Sequence, residues 1–430
     1  LADRNFMVSV SALGNYVAVQ KLSADGTVGG ATTLWADRGL GLNQPTHLTT
    51  VTVGSVTYVV VASSQSSSLT TLRLTYSGEL LPSDHILDEL TTRFQGATAL
   101  DSVTIDGRAY IFVGGGDDGI SVFTMMPEGR LLHLVTLADA NDRAMANVSA
   151  LSAAVIDGQI VLFVASKTES GITQFAFDPG QIGITRVVGE GRQDGTSGND
   201  MMQASATTRA LVGGAGDDIL IAGKSSLTMV GGAGADLFVM GPVSGTIIIS
   251  DFQLGVDRLD LSLLGMIRST GQLQFRPQAD GIKIVFGATT IVIRTSDGTT
   301  LQAAAFDNSL FPIAHYDPPN MRSYVLGGYG NDALMAGHYG SSIVGLAGND
   351  LLTGRDGADF MNGGGGSDTL NGGGGNDTMY GVDGNDFMRG HAGDDQHHGI
   401  RGLRVVVVDQ PQRERGQHVR RGHCQDDKEA

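Results

Sequence analysis

Gly363-Gly-Gly-Gly-Ser-Asp368-Thr-Leu-Asn371 and Gly372-Gly-Gly-Gly-Asn-Asp377-Thr-Met-Tyr380 stand back to back. Each reads G-G-x-G-x-D-x-U-x, where U is a large apolar residue, and such a nine-residue period marks a solenoid. Working outward, the same phase runs from Gly327 through the unit that begins at Gly390, and a second phased block begins at Gly195, Ala204, Gly213, Ala222 and Gly231. In each unit six residues make a turn and three make a short strand, so the apolar eighth residue points into a narrow core. The turn needs glycine because it uses positive φ and draws backbone carbonyls together.

An aspartate at the sixth position adds a carboxylate oxygen to those carbonyls. Several hard oxygens at flexible spacing suit calcium better than magnesium. The candidate ligands are Asp200, Asp218 and Asp236 in the first block and Asp332, Asp350, Asp359, Asp368, Asp377, Asp386 and Asp395 in the second. The first-position glycines Gly213, Gly231, Gly327, Gly345, Gly354, Gly363, Gly372, Gly381 and Gly390 hold the carbonyls beside them. Without ions, carboxylates stacked about 5 Å apart repel by roughly 1 kcal/mol per pair even in a water-like dielectric. Glycine-rich turns add a large entropy cost. One apolar residue in nine does not offset both, so metal binding and folding are expected to be one event.

Residues 195–239 and 327–395 resemble the RTX repeats of type I-secreted bacterial toxins, proteases and lipases. The resemblance implies a parallel β-roll with two units per turn and calcium between stacked loops on each edge, so residues eighteen apart share ions. One edge of the second block is then Asp332, Asp350, Asp368 and Asp386, and the other is Asp359, Asp377 and Asp395, with Ser341 costing that edge its first ion. In the first block Arg209 and Leu227 occupy the alternate sixth positions, which predicts calcium along one edge only. The stretch Ser250-Asp-Phe-Gln-Leu-Gly-Val-Asp257-Arg-Leu-Asp260-Leu-Ser262 is similar to the segment that flanks such rolls, and it adds Asp257 as a ligand at the roll's end.

The first 188 residues follow a different period, about 51 residues. Strand-like runs start at Phe6, Tyr58, Tyr110 and Ile160, each followed by a turn glycine at Gly26, Gly78, Gly129 and Gly180. Strand, gap, alternating strand, turn and strand make a unit the size of a propeller blade. Four copies are present, and more are expected before Leu1. The expected fold is therefore all-β: a partial β-propeller at 1–188, resembling lactonase-like propellers on period and strand pattern, then a β-roll at 189–239, a β-rich insert at 240–320, a second β-roll at 321–395 and an anomalous tail at 396–430.

Composition narrows the function. A charge of −17 disfavours nucleic acid and anionic membranes and favours cations. The single cysteine, Cys424, allows neither a disulfide nor a thiolate metal site. No run of about 18 apolar residues suggests a transmembrane segment. Gly223-Lys-Ser225 lacks the first glycine of a phosphate loop, since Asp218 stands there; neither H-E-x-x-H nor G-x-S-x-G occurs. Asp117, Asp118 and Asp157 read as turn residues of the propeller copies. After Asp395 the phase breaks at His397-His398 and charge turns basic with Arg413, Arg415, Arg420 and Arg421, the pattern expected of a frameshift.

Two functions fit. One is a secreted, extracellular calcium-binding protein whose rolls fold on calcium outside the cell, with the propeller binding an extracellular ligand and, given a native C-terminus, the type I secretion apparatus as partner. The other is an extracellular propeller hydrolase acting on lactones or esters that uses the rolls for secretion and folding. No catalytic motif marks the second, and Ser64, Gly116 and Thr168 at equivalent places in the copies lean away from it.

Overall fold

A computed structural model describes residues 5–36, 40–75, 78–243, 245–265, 267–316, 323–336, 340–355, 357–398 and 406–407. The chain divides into two compact units, Leu1–Pro319 and Asn320–Ala430. Every long element among the described residues is a β-strand, and the only helical pieces are single 3-10 turns such as Ser262–Leu264.

The first unit opens with four separate antiparallel sheets in chain order. Their strands are Asn5–Ser11, Tyr16–Leu22 and Val28–Trp35; Pro45–Val53, Val56–Ser63, Ser68–Leu74 and Leu80–Leu87; Ala99–Ile105, Arg108–Gly114, Gly119–Met125 and Leu131–Ala138; and Val148–Ile156, Gln159–Ser166 and Ile172–Phe177. His315–Tyr316 joins the outer edge of the second sheet. Asp106-Gly107 and Asp157-Gly158 turn two of the hairpins with all four residues at positive φ, the geometry that matches strand twist. The central strands read as unbroken apolar runs because both faces are covered. In the third sheet Ile111 and Val113 pack with Val60 and Ala62 of the second, while Phe112 packs with Leu162 and Val164 of the fourth. The first strands of successive sheets are tied by side chains: Thr49 Oγ1 lies 2.6 Å from Ser102 Oγ, and Ala153 N donates to Asp101 Oδ2 at 2.8 Å.

The 51-residue period assigns Ile182–Val188 to the outer edge of the fourth sheet. It pairs instead in parallel with Asn199–Ala204 and starts a solenoid. Two parallel ladders follow at an eighteen-residue offset, with Met202 beside Leu220 and Phe238 on one and Leu211 beside Met229 on the other. The segment after residue 240 extends the second ladder rather than forming a separate body: Met229 pairs with Ile249, and Ile249 with Ile293. A hairpin of Gln274–Gln278 and Gly281–Phe286 completes that sheet.

The second unit is a solenoid of the same kind. Ser323–Leu326, Ser341–Ala347, Phe360–Gly365, Thr378–Asp383 and Gln396–His398 form one ladder, and Ala333–Met335, Leu351–Thr353, Thr369–Gly374, Phe387–Ala392 and Val406–Val407 the other. Its core is a single file of eighth-position side chains, Ile343, Leu352, Met361, Leu370, Met379 and Met388, all fully buried. His397 takes the next place in register opposite Met379, and His398 stacks on Tyr380 at 4.5 Å, so the ladder runs through both histidines. Apart from Val406–Val407, the rest of the tail, including Arg413, Arg415, Arg420, Arg421 and Cys424, lies outside the described residues.

The second position sits at positive φ in several loops, as at Gly364 (103°) and Gly373 (108°), yet Leu346 (81°), Val382 (75°) and His391 (73°) also occupy it. A β-branched residue is strained there. Val382→Gly is expected to stabilise the calcium-loaded second unit by about 1 kcal/mol, read as a raised thermal midpoint in calorimetry.

Candidate calcium site

Each sixth-position carboxylate is built into a column by a repeating contact. Its Oδ1 accepts the backbone N–H of the residue eighteen positions earlier. In the first unit Asp200 N donates to Asp218 Oδ1 at 2.7 Å and Asp218 N to Asp236 Oδ1 at 3.0 Å. In the second, Asp332 N reaches Asp350 (2.8 Å), Asp350 N reaches Asp368 (2.8 Å) and Asp368 N reaches Asp386 (3.0 Å). On the opposite edge Ser341 N reaches Asp359 (2.5 Å), Asp359 N reaches Asp377 (2.9 Å) and Asp377 N reaches Asp395 (3.0 Å). All the aspartates expected to share an edge are brought together.

The other carboxylate oxygen behaves differently. Oδ2 of Asp218, Asp236, Asp350, Asp368 and Asp377 is buried without a hydrogen-bond partner. An unpartnered anionic oxygen is costly inside a protein, so the loops are built for a cation. No cluster of three acidic, imidazole or thiolate side chains converges on one point among the described residues. A cation here therefore takes carboxylates singly from stacked loops and completes its shell with backbone carbonyls, a donor set that fits calcium. The first-position glycines make room: a Cβ at Gly213, Gly231, Gly345, Gly363, Gly372, Gly381 or Gly390 would fall 2.1–2.3 Å from the Oδ2 of its own unit's aspartate. Gly354 and Gly327 are slightly looser, at 2.5 and 2.8 Å.

The ends of the columns are closed by protein donors. Asp200 receives the N–H groups of Ile184 and Thr196 and the Thr196 hydroxyl. Asp332 Oδ2 accepts Gly328 N at 2.6 Å. Asp257 stands twenty-one residues after Asp236 and continues its column, with Oδ1 accepting Asp236 N at 3.1 Å and Oδ2 accepting Gln253 N at 2.7 Å. On the other edge of the first roll Arg209 points out and bonds the carbonyls of Ala206 and Thr208, Leu227 is buried, and Thr208 Oγ1 holds the loop through Gly189 O at 2.6 Å.

The fifth position carries a second column that sequence reading missed. Here the side chain accepts from the residue eighteen later: Asn199 from Asp217, Asp217 from Ala235, Asn331 from Asn349, Asn349 from Ser367 and Asn376 from Asp394. The Asx that precedes most of the aspartates was the available signal. Asp117 and Asp118 accept N–H groups of Gln95 and Asn147, and Asp157 is a hairpin residue, so all three serve turns.

Residues 339–370 and 363–396 match the RTX calcium-binding nonapeptide repeat, and residues 192–290 match the peptidase M10 serralysin C-terminal region. The chain carries RTX calcium-binding repeats. RTX nonapeptide repeats bind calcium ions, and the matched residues carry a large part of the columns described above. No curated protein matches the chain. Among solved structures, similarity extends to a protein from Lactobacillus plantarum (20% identity, TM-score 0.32, 40% of this chain and 48% of that one). It extends also to a triple mutant of AofleA from Arthrobotrys oligospora (16%, TM-score 0.21, 40% and 57%) and to extracellular lipase LipA from Serratia marcescens (18%, TM-score 0.16, 48% and 33%). The chain thus spans about half of the first two and a third of the last.

Burial raises the carboxyl pKa in the metal-free columns: to about 8 for Asp377, about 7 for Asp218 and about 6 for Asp236 and Asp368, with neighbouring aspartates adding to the rise. Between the unfolded value of 3.8 and these values, the folded form holds protons that the unfolded chain has released. Metal-free stability therefore falls as pH rises from about 4 to about 8, and calcium, which displaces those protons, binds more tightly over the same interval. Asp377→Asn keeps the acceptor for Asp359 N but removes the charge. It is expected to stabilise the metal-free roll at pH 8 while weakening calcium binding at least tenfold, measured by calorimetric titration at pH 6, 7 and 8.

Proposed function

We propose that this is a secreted, extracellular protein whose second roll is a calcium-operated folding switch, exported by a type I apparatus and ordered only where calcium is plentiful. The unpartnered Oδ2 column carries this reading. Its supports are the thin single-file core of the second unit and the carboxylates that burial drives toward protonation when no metal neutralises them. The four antiparallel sheets are read as part of a propeller serving as a binding or adhesion module. In support, successive sheets stack face to face and their first strands are bonded side by side. No helix among the described residues is long and apolar enough to cross a membrane.

The first roll is read as a preformed base that needs calcium less. Its inner file of Met202, Leu211, Leu220, Met229 and Phe238 belongs to a large core shared with Ile249, Ile284 and Ile293 of the following segment. Its outer face buries Met201, Ile219 and Leu237 against Met126 and Leu132 of the third sheet. A protein cation also stands at its carboxylate edge. Arg108 is 4% exposed, donates from Nη2 to Asn199 O at 2.6 Å and attracts Asp200 and Asp218.

Hydrogen exchange on the full chain in chelator tests both parts. Amides of the second roll are expected to exchange as an unfolded chain and to gain at least a hundredfold protection on adding calcium but not magnesium, while the first roll stays protected throughout. Arg108→Met is expected to speed exchange over 199–239 in chelator at least tenfold, with calcium restoring protection. Full protection of the second roll in chelator would defeat the switch.

A further inference from the structure

The edge of the first roll that lacks aspartates borders an open cavity of about 580 Å³, lined on its other sides by Glu128 and Arg130 of the turn in the third sheet, by Ser262, Leu263 and Gly265, and by His315. That volume suits a small organic ligand. Met126, Val187, Ile221 and Leu263 give it apolar walls. We propose that this cavity binds a small organic anion with an apolar body, its carboxylate held by Lys224.

The charge pattern sets the sign of the ligand. On the calcium edge each loop offers an aspartate, whereas the loop Ala222-Gly-Lys-Ser-Ser-Leu227 offers Lys224 at its third position and Leu227 at its sixth. Glu128 and Arg130 also line the cavity and offset each other, so Lys224 leaves an excess of one positive charge. Lys224 is exposed and has no ion-pair partner among the described residues.

Two polar residues also line the wall, and the anion contact is drawn from neither. Gln203 is 8% exposed, lines the cavity, and its Oε1 has no hydrogen-bond partner. His315 lines the cavity too, with Nδ1 3.0 Å from both carboxylate oxygens of Asp84, and Asp84 Oδ2 is itself fixed by Leu131 N at 2.9 Å. The aspartate holds one ring nitrogen, and the other is bonded to no described protein group. A pin between His315 and the second sheet accounts for the Asp84 contact alone. It does not account for an apolar cavity with the Lys224 ammonium on its lining. The Gly223-Lys224-Ser225 run, which lacks the phosphate-loop glycine, thereby acquires a role as an anion contact in a degenerate roll loop.

The test uses the calcium-loaded full chain and three probes of one length, octanoate, octylamine and octanol, by saturation-transfer NMR and calorimetry. Octanoate is expected to bind saturably at one site, at least tenfold more tightly than the other two. Lys224→Met is expected to weaken octanoate at least tenfold with the thermal midpoint unchanged. Lys283→Met, which removes a cation from the Gly281–Phe286 strand instead, is expected to leave binding intact. Octylamine or octanol binding as tightly as octanoate, equal losses in the two variants, or no saturable binding would each overturn the proposal.

Discussion

One contact organises both solenoids: a carboxylate oxygen accepting the backbone N–H of the residue eighteen positions earlier. It fixes the register of stacked turns, since a slip of one residue would carry the carboxylate away from that N–H. It also settles which oxygen faces the loop, because Oδ1 is spent on the chain while Oδ2 of Asp218, Asp236, Asp350, Asp368 and Asp377 is buried without a partner. The glycines follow from the same contact. A Cβ at the first position would fall about 2 Å from that oxygen, and many second and fourth positions take positive φ to bring the loops together. Charge, spacing and glycine content are thus one constraint, and a cation is what completes it.

The constraint acts on two different backgrounds. In the second unit the ladders enclose one apolar side chain per nine residues, which is too little to outweigh the entropy of ordering glycine-rich loops. In the first unit the same ladders are sandwiched: the inner file merges with the isoleucines of the extended sheet, and the outer face lies on the third antiparallel sheet. Hydrophobic burial grows with the area covered, so the same repeat is worth more where it has neighbours on both sides. The edge of the first roll that lacks aspartates lies in this supported unit.

Much of this was legible in the sequence because nine-residue phasing is rigid. Each aspartate expected on an edge stands in its column, and the apolar eighth residues from Met202 to Met388 form the core, with Leu334 at one end only partly buried. What sequence hid was set by neighbours in space. Ile182–Val188 has the same strand character whether it closes the fourth sheet or opens the roll, and only the parallel partner Asn199–Ala204 decides between them. Asp257 sits three residues off the eighteen-residue spacing, yet it closes the column through Asp236 N because the turn at Gln253 absorbs the extra residues. The fifth-position column was visible as a recurring Asx but had no assigned bond. Arg108, about ninety residues before the carboxylates it faces, left no local signal at all.

The two edges of the first roll show how one scaffold can serve opposite charges. A roll loop is a ring of backbone groups whose side chain at one or two positions sets the local field. With aspartate at the sixth position that field is negative and the neighbouring carbonyls add to it, which suits a hard cation. When the sixth position becomes leucine and the third becomes lysine, the carboxylate column is gone and the loop presents an ammonium beside apolar walls. Nothing in the strand ladder has to change for this, since Leu227 begins a strand in the same register as Thr208–Ala215. The β-roll separates what holds it together, the eighteen-residue ladder and its apolar file, from what its loops present, so the loop side chains of one edge can differ while the ladder keeps its register.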